Sequence, residues 1–257
     1  MAAKSFVLIT GASSGIGYAS ALAFAGRGKN LILVARTGSK MENLKLEIAR
    51  IDSSLDIVVK ECDLSIIQNC YDLFNALEAY HIECWINNAG FGIYDSVANQ
   101  KLDVVAKMFR VNIEALTVFS TLYVRKYQNV DGAQLINVSS GGGYQLVPNC
   151  TTYCATKFYV SAFTEGLAYE LIRAGAKLRA KVLAPALTKT GFGSASSYGD
   201  AYDYSGKTYH TPEQVAGYML EVYNNVKPLG IVSRDTMQFT ARDTFFIHAI
   251  NPSSKKQ

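Results

Sequence analysis

Tyr153 and Lys157 stand four positions apart in the stretch YCATK. A free tyrosine keeps its proton up to a pKa of ~10, so its phenol is a poor base at neutral pH. On a helix, positions i and i+4 share a face. An ammonium held there stabilises phenolate and lowers the phenol's pKa. Such a pair can move a proton near neutral pH, where general acid–base groups work best. Thirteen residues earlier, Ser140 closes the strand-like run QLINVSS. A hydroxyl at a strand end can donate to a carbonyl oxygen and hold it against Tyr153. Asn112, in RVN, falls mid-helix by pattern, where Asn is a mediocre helix former.

A second group of residues suits phosphate. The segment LITGASSGIG sets Gly11, Gly15 and Gly17 between a strand-like run and a helix-like one. Glycines let backbone approach a pyrophosphate, and a helix N-terminus offers it free N–H groups. Thr10, Ser13, Ser14 and Ile16 complete this cradle. The spacing is GxxxGxG rather than the commoner GxGxxG. The next strand-like run, LILVAR, ends at Ala35 where an acid would favour the ribose 2′-OH of NAD. Arg36 follows, and a guanidinium there suits the 2′-phosphate of NADP(H), with Thr37, Ser39 and Lys40 as further donors. NADP(H) is therefore expected over NAD(H).

These groups need a scaffold. Phe6–Thr10, Asn30–Ala35, Asp56–Lys60, Cys84–Asn87, Gln134–Val138 and Ala180–Leu183 are short apolar runs with little alternation, as in strands buried on both faces. Helical patterns lie between them, near 15–27, 39–50, 65–80, 99–127, 152–174 and 211–225. The alternation predicts an α/β fold with a doubly wound parallel sheet of Rossmann type, helices on both faces, and one domain over 1–257. No closing strand is expected in the C-terminal stretch LGIVSRDTMQFTARDTFFIHAINPSSKKQ.

Composition narrows the classes. The 257 residues are 49% hydrophobic and 18% charged, with net charge +4, typical of a soluble globular chain. No basic stripe interleaved with aromatics calls for nucleic acid. The cationic SSKKQ end is expected to be a solvated tail. The five cysteines, at 62, 70, 84, 150 and 154, form no CxxC pair and lie far from His81, His210 and His248. Neither zinc nor a disulfide framework is expected, and a reducing cytoplasm is. No signal peptide and no apolar run of ~20 residues for a membrane span is seen.

TGASSGIG, NNAG at Asn87–Gly90 and YCATK together resemble the short-chain dehydrogenases/reductases, in their shorter single-domain group and its DltE-like branch. The resemblance runs from about Ser5 to Thr190. It implies an NADPH-dependent oxidoreductase that reduces a ketone or aldehyde, with Asn112, Ser140, Tyr153 and Lys157 as catalytic residues. Asn112 would distort its helix and hold a water leading protons to Lys157, which would also bond the nicotinamide ribose. The resemblance assigns cofactor contacts to Asp63 (the adenine amino group), Leu64, Asn88, Ala89, Gly90, Pro185, Ala186, Thr188 and Thr190. Pro185-Ala186 departs from the family's usual Pro-Gly. A homodimer through the helices near 99–127 and 152–174, or a homotetramer, is implied.

The Gly-, Ser- and Tyr-rich segment 190–211 is too long for an ordinary connection and reads as a substrate lid. Phe91, Tyr94, Gly141, Tyr144 and Phe192 are the expected pocket walls. Their aromatic character favours an apolar or aromatic ketone over a small charged acid. Two other functions stay open. A reductase of carrier-bound 3-ketoacyl chains would need a basic patch, for which Lys189 and Lys207 are the candidates. A non-catalytic NADP(H)-binding sensor would not need all four catalytic residues.

Overall fold

The computed structural model describes residues 4–200 and 202–248, so the first three residues and the SSKKQ tail lie outside it. The apolar runs are strands: β1 (Ser5–Thr10), β2 (Asn30–Ala35), β3 (Ile57–Glu61), β4 (His81–Asn87), β5 (Gln134–Val138) and β6 (Arg179–Ala184). Between them lie α1 (Gly15–Ala25), α2 (Gly38–Ile51), α3 (Ile67–Ala76), α4 (Leu102–Phe109), α5 (Leu116–Tyr127) and α6 (Thr151–Arg173). Beyond β6 come α7 (Phe192–Ser196), α8 (Pro212–Asn224), β7 (Leu229–Val232) and β8 (Phe239–Arg242). The strands form one sheet in the order β3-β2-β1-β4-β5-β6-β7-β8.

Both faces of the sheet are covered, which explains why its strands do not alternate. Leu8, Ile32, Trp85 and Leu135 pack on one side with Phe119 and Tyr123 of α5 and Leu171 of α6. Val7, Ile9, Leu33 and Ile86 pack on the other with Phe24 of α1, Leu44 of α2 and Met219 of α8. A buried amide ladder crosses the sheet centre. Trp85 Nε1 donates to Asn87 Oδ1 at 2.9 Å, and Asn87 Nδ2 to Asn137 Oδ1 at 2.9 Å. Asn137 Nδ2 then donates to Thr164 Oγ1 of α6 at 2.9 Å. Every buried amide in that ladder thus finds a partner, the condition for burying it at all. Among the described residues no helix is long and apolar enough to cross a membrane.

The C-terminal stretch departs from expectation. LGIV forms β7, parallel to β6, and FTAR forms β8, antiparallel to β7. Each is four residues long and β8 buries only alternate residues weakly, so neither carries a periodic signal long enough to detect. The expected 99–127 helix is also divided. A short 3-10 turn at Val97–Asn99 precedes α4, and a π-helical stretch, Arg110–Ala115, joins α4 to α5.

The chain leaves β1 toward β2 and β3 on one side, and returns to β4 on the other. That reversal opens a crevice at the carboxyl ends of β1 and β4, the place where α/β sheets hold ligands.

Candidate active site

A cleft of about 930 Å³ fills that crevice. This is at the upper end for a ligand site, with room for more than one small molecule. Its floor is the β1–α1 turn. Gly11 has φ +69° and Gly15 φ +56°, left-handed values that side chains rarely adopt. A methyl group at Gly11 would lie 2.9 Å from Ala89 Cα, and one at Gly17 2.5 Å from Asn88 Nδ2. The turn is therefore pressed against the end of β4. Thr10 makes the clasp: its Oγ1 accepts from the N–H groups of Asn88 and Ala89, each at 3.0 Å. Asn88 Nδ2 donates back to the Thr10 carbonyl at 2.9 Å. No side chain caps the N-terminus of α1, and its first turn holds no acid. Its N–H groups face the cleft uncompensated, a cradle that fits a pyrophosphate.

At one end of the cleft stand Arg36, exposed beyond β2, and Asp63 beyond β3. Burial pushes the Asp63 carboxyl up, but two donations from Ser65 and the charges of Lys107 and Arg36 outweigh it, and the net shift is downward. Glu61, at the end of β3, accepts from the N–H of Gly38 at 3.2 Å where α2 begins.

At the other end α6 presents Tyr153 and Lys157. Tyr153 packs with Ile93, Met108 and Phe192. Lys157 Nζ lies 5.9 Å from the Tyr153 ring centroid and donates to the Val138 carbonyl at 2.9 Å. Here the acid–base expectation is corrected. Burial raises the Tyr153 phenol well above its ordinary value, and the hydrogen bond with Ser140 only partly opposes this. Burial also pushes the Lys157 ammonium down to about 8. Desolvation outweighs the expected effect of the ammonium on the phenol. Burial thus favours the protonated phenol at Tyr153 and the neutral amine at Lys157.

Ser140 accepts from the N–H of Gly142 at 3.0 Å, which turns its hydroxyl toward Tyr153. Its neighbour Ser139 points inward, donating to the Lys157 carbonyl at 3.0 Å and bonding Ser161 Oγ at 2.7 Å. Asn112 sits in the π-helical stretch behind the cleft. Its Oδ1 accepts from Phe91 N–H at 3.1 Å, and its Nδ2 donates to the Phe91 carbonyl and to Thr156 Oγ1. Both amide hydrogens are thus engaged with protein, and Oδ1 keeps one acceptor site beside Gly90. A methyl group at Gly90 would touch both Asn112 Oδ1 and Lys157 Nζ.

The other expected site residues line the cleft except Thr10 and Gly17, which hold it from behind, the further donors Thr37, Ser39 and Lys40, the basic-patch candidate Lys189, and Tyr144. Tyr144 was expected as a wall. Its hydroxyl instead donates to Glu165 Oε1 at 2.5 Å, and its ring stacks on Phe246. Glu165 is fully buried on α6 and also accepts from the N–H of Phe246 at 3.0 Å. A buried carboxylate needs such donors, and they draw Tyr144 out of the cleft. The segment 190–211 contributes Phe192, Tyr202, Tyr204 and Lys207. Its Tyr202 packs tilted on Tyr94 at 5.4 Å and edge-on to Tyr204 at 4.8 Å. Cys150, Cys154, Arg234 and Met237 also line the cleft and were missed. Cys154 stands three positions before Lys157 on α6 and was legible from that spacing. Arg234 and Met237 were not, because the hairpin that carries them was not.

Residues 5–199 match the short chain dehydrogenase family. The chain is 32% identical to Dehydrogenase/reductase SDR family member 11 of Mus musculus over 246 residues, 91% of this chain and 95% of that one. It is 27% identical to the NADP-dependent 3-hydroxy acid dehydrogenase of Schizosaccharomyces pombe, over 91% of each. A short-chain dehydrogenase from Sphingobium yanoikuyae, solved in complex with NADPH, superposes with a TM-score of 0.81 at 25% identity. That superposition covers 89% of this chain and 87% of the other.

Proposed function

This chain belongs to the short-chain dehydrogenase/reductase family and is an oxidoreductase, and from that premise we propose that it uses NADPH to reduce the carbonyl of a small ketone or aldehyde to an alcohol. One observation carries the reading: Ser140, Tyr153 and Lys157 meet on the wall of a cleft whose floor is a glycine cradle for a dinucleotide.

NADPH, held by the β1–α1 glycine turn and Arg36, would supply the hydride for the carbonyl carbon. The Ser140 hydroxyl fixes the carbonyl oxygen beside Tyr153. Tyr153, kept protonated by its burial, donates its proton as that oxygen becomes an alkoxide. Lys157, its Nζ 5.9 Å from the ring centroid, returns the proton by way of water. Asn112 acts through others: it holds the Phe91 backbone and Thr156, and so fixes the walls on either side of Lys157. The segment 190–211 is a lid that brings Phe192 against Tyr153, their ring centroids 5.4 Å apart.

Preference for NADP(H) is supported by Arg36 and by the absence of an acid at Ala35, together with the NADPH complex and the NADP-dependent relative. Glu61 is occupied by the Gly38 N–H, which leaves Arg36 to meet a 2′-phosphate.

The test is fluorescence titration with NADPH and NADH, followed by a panel of carbonyl compounds read as NADPH consumption. Tyr153→Phe is expected to lower turnover by ~10³-fold and leave NADPH affinity within about twofold, since only the acid is removed. Retained turnover would remove Tyr153 from that role. Arg36→Asp is expected to weaken NADPH at least about tenfold more than NADH, the loss of a charge-assisted phosphate contact. Equal loss for both would separate Arg36 from the 2′-phosphate.

A further inference from the structure

The turn between β7 and β8 brings a cation into the substrate end of the cleft. Ser233 N–H donates to the Gln238 carbonyl at 2.9 Å, and Met237 N–H to the Ser233 carbonyl at 2.9 Å. Thr236 N–H adds a bond to Ser233 Oγ at 3.3 Å. Met237 takes φ +55°, a left-handed conformation that is strained for its side chain type. Such strain is tolerated where surrounding structure over-determines it, and it concentrates at functional sites. This tight turn places Arg234 and Met237 on the cleft wall.

The exposed Arg234 side chain lies along the wall beside Gly141, the residue after Ser140. A methyl group at Gly141 would stand 3.4 Å from Arg234 Cγ and Cδ, so the side-chain stem runs over the residue that follows Ser140. A methyl group at the next residue, Gly142, would stand 3.5 Å from Ser140 Oγ, 3.2 Å from Cys154 Sγ and 3.8 Å from the Tyr153 ring. Two bare glycines thus bridge the arginine and the Ser140–Tyr153 pair. The guanidinium also acts on the thiols of Cys150 and Cys154, opposing the upward push of their burial. Its charge therefore reaches the two cysteines on either side of Tyr153 in the chain.

Other charges on this side are occupied or distinct. Lys207 donates to the Asp203 carbonyl at 2.8 Å and lies 4.2 Å over the Tyr202 ring. Asp235 lines the cleft as well, yet among the described residues Arg234 forms no ion pair with it or with another carboxylate. An arginine fork without a protein carboxylate is suited to bond one brought by a ligand, through two parallel N–H donations.

We propose that Arg234 is a carboxylate subsite, and that the substrate is an oxo acid whose carboxylate rests on Arg234 while its ketone oxygen lies between Ser140 and Tyr153. The apolar walls, Val147 and Met237 among them, take the carbon chain between the two groups. This assignment rests on the reduction reading above. It also revises the preference for an uncharged ketone, because the hairpin sets an arginine on the cleft wall.

The experiment compares a short 3-oxo carboxylate with its methyl ester, using wild type and Arg234→Gln with NADPH. Wild type is expected to favour the acid about tenfold or more in kcat/KM, and Arg234→Gln to lose most of that margin through KM, the scale of one charged hydrogen-bonded contact. The ester and the NADPH affinity should each change less than about twofold. An ester turned over as well as the acid, or equal loss on both in the variant, overturns the subsite. A second readout is the melting temperature of the NADPH-loaded protein with the 3-oxo carboxylate added. If neither compound is turned over, a shift seen in wild type and lost in Arg234→Gln upholds the subsite and counts against the reduction instead. No shift in wild type overturns it.

Discussion

Lys157 is 5% exposed and Lys181 3%, and burial pushes each ammonium down from 10.5 to about 8. Their surroundings differ. Lys181, on β6, donates to Gln134 Oε1 at 2.7 Å and to the carbonyls of Val222, Tyr223 and Asn225. It ties the last turn of α8 to the sheet and satisfies carbonyls that a helix end leaves without partners. Lys157 has one protein acceptor, Val138, and otherwise faces the cleft beside Tyr153. A depressed lysine pKa therefore marks burial, and the hydrogen-bond tally separates a structural pin from a group with donors to spare. Perturbed pKa values point to functional sites only as far as such a second observation supports them.

Replacing each lysine with methionine should break the pair apart most sharply. Lys157→Met is expected to lower turnover by ~10³-fold, within the range of lost acid–base function, while stability stays within about 1 kcal/mol of wild type. Lys181→Met is expected to keep turnover and lose ~2 kcal/mol of stability, because several buried acceptors lose their donor. Kinetics and denaturant unfolding on the two variants check both. If Lys157→Met unfolds and Lys181→Met loses activity, the roles are exchanged.

pH sharpens the contrast at smaller amplitude. Above pH 8 Lys157 sheds its proton while Tyr153 keeps its own, so kcat for reduction should fall about tenfold per unit as the relay loses its donor. For Lys181 the sign is set by linkage. Between about 8 and 10.5 the unfolded chain binds this proton and the folded one does not, so folding gains as pH rises through that window. Lys181→Met cannot share that gain. Its deficit against wild type should widen by ~1–3 kcal/mol from pH 8 to pH 10, measured by unfolding at each pH. A deficit that is flat with pH would show that folding does not depress the Lys181 pKa.

Motif and periodicity reached far into this protein by local reasoning. The βα alternation, the glycine turn, Arg36 after a strand without a terminal acid, and the shared face of Tyr153 and Lys157 are properties of neighbours in sequence. Short-range geometry alone places them, and six strands were legible on that basis. Other features arise between residues far apart in the chain. Desolvation of Tyr153 depends on Ile93, Met108 and Phe192 closing over it, and so the phenol moves up rather than down. Tyr144 leaves the cleft because Glu165 lies buried on the opposite wall of its turn. Arg234 enters because β7 and β8, each too short to show a period, pair across the sheet edge. Residue types and spacing thus determined which chemistry was available here. Burial and long-range pairing, which no local window contains, decided the protonation states and which side chains line the cleft.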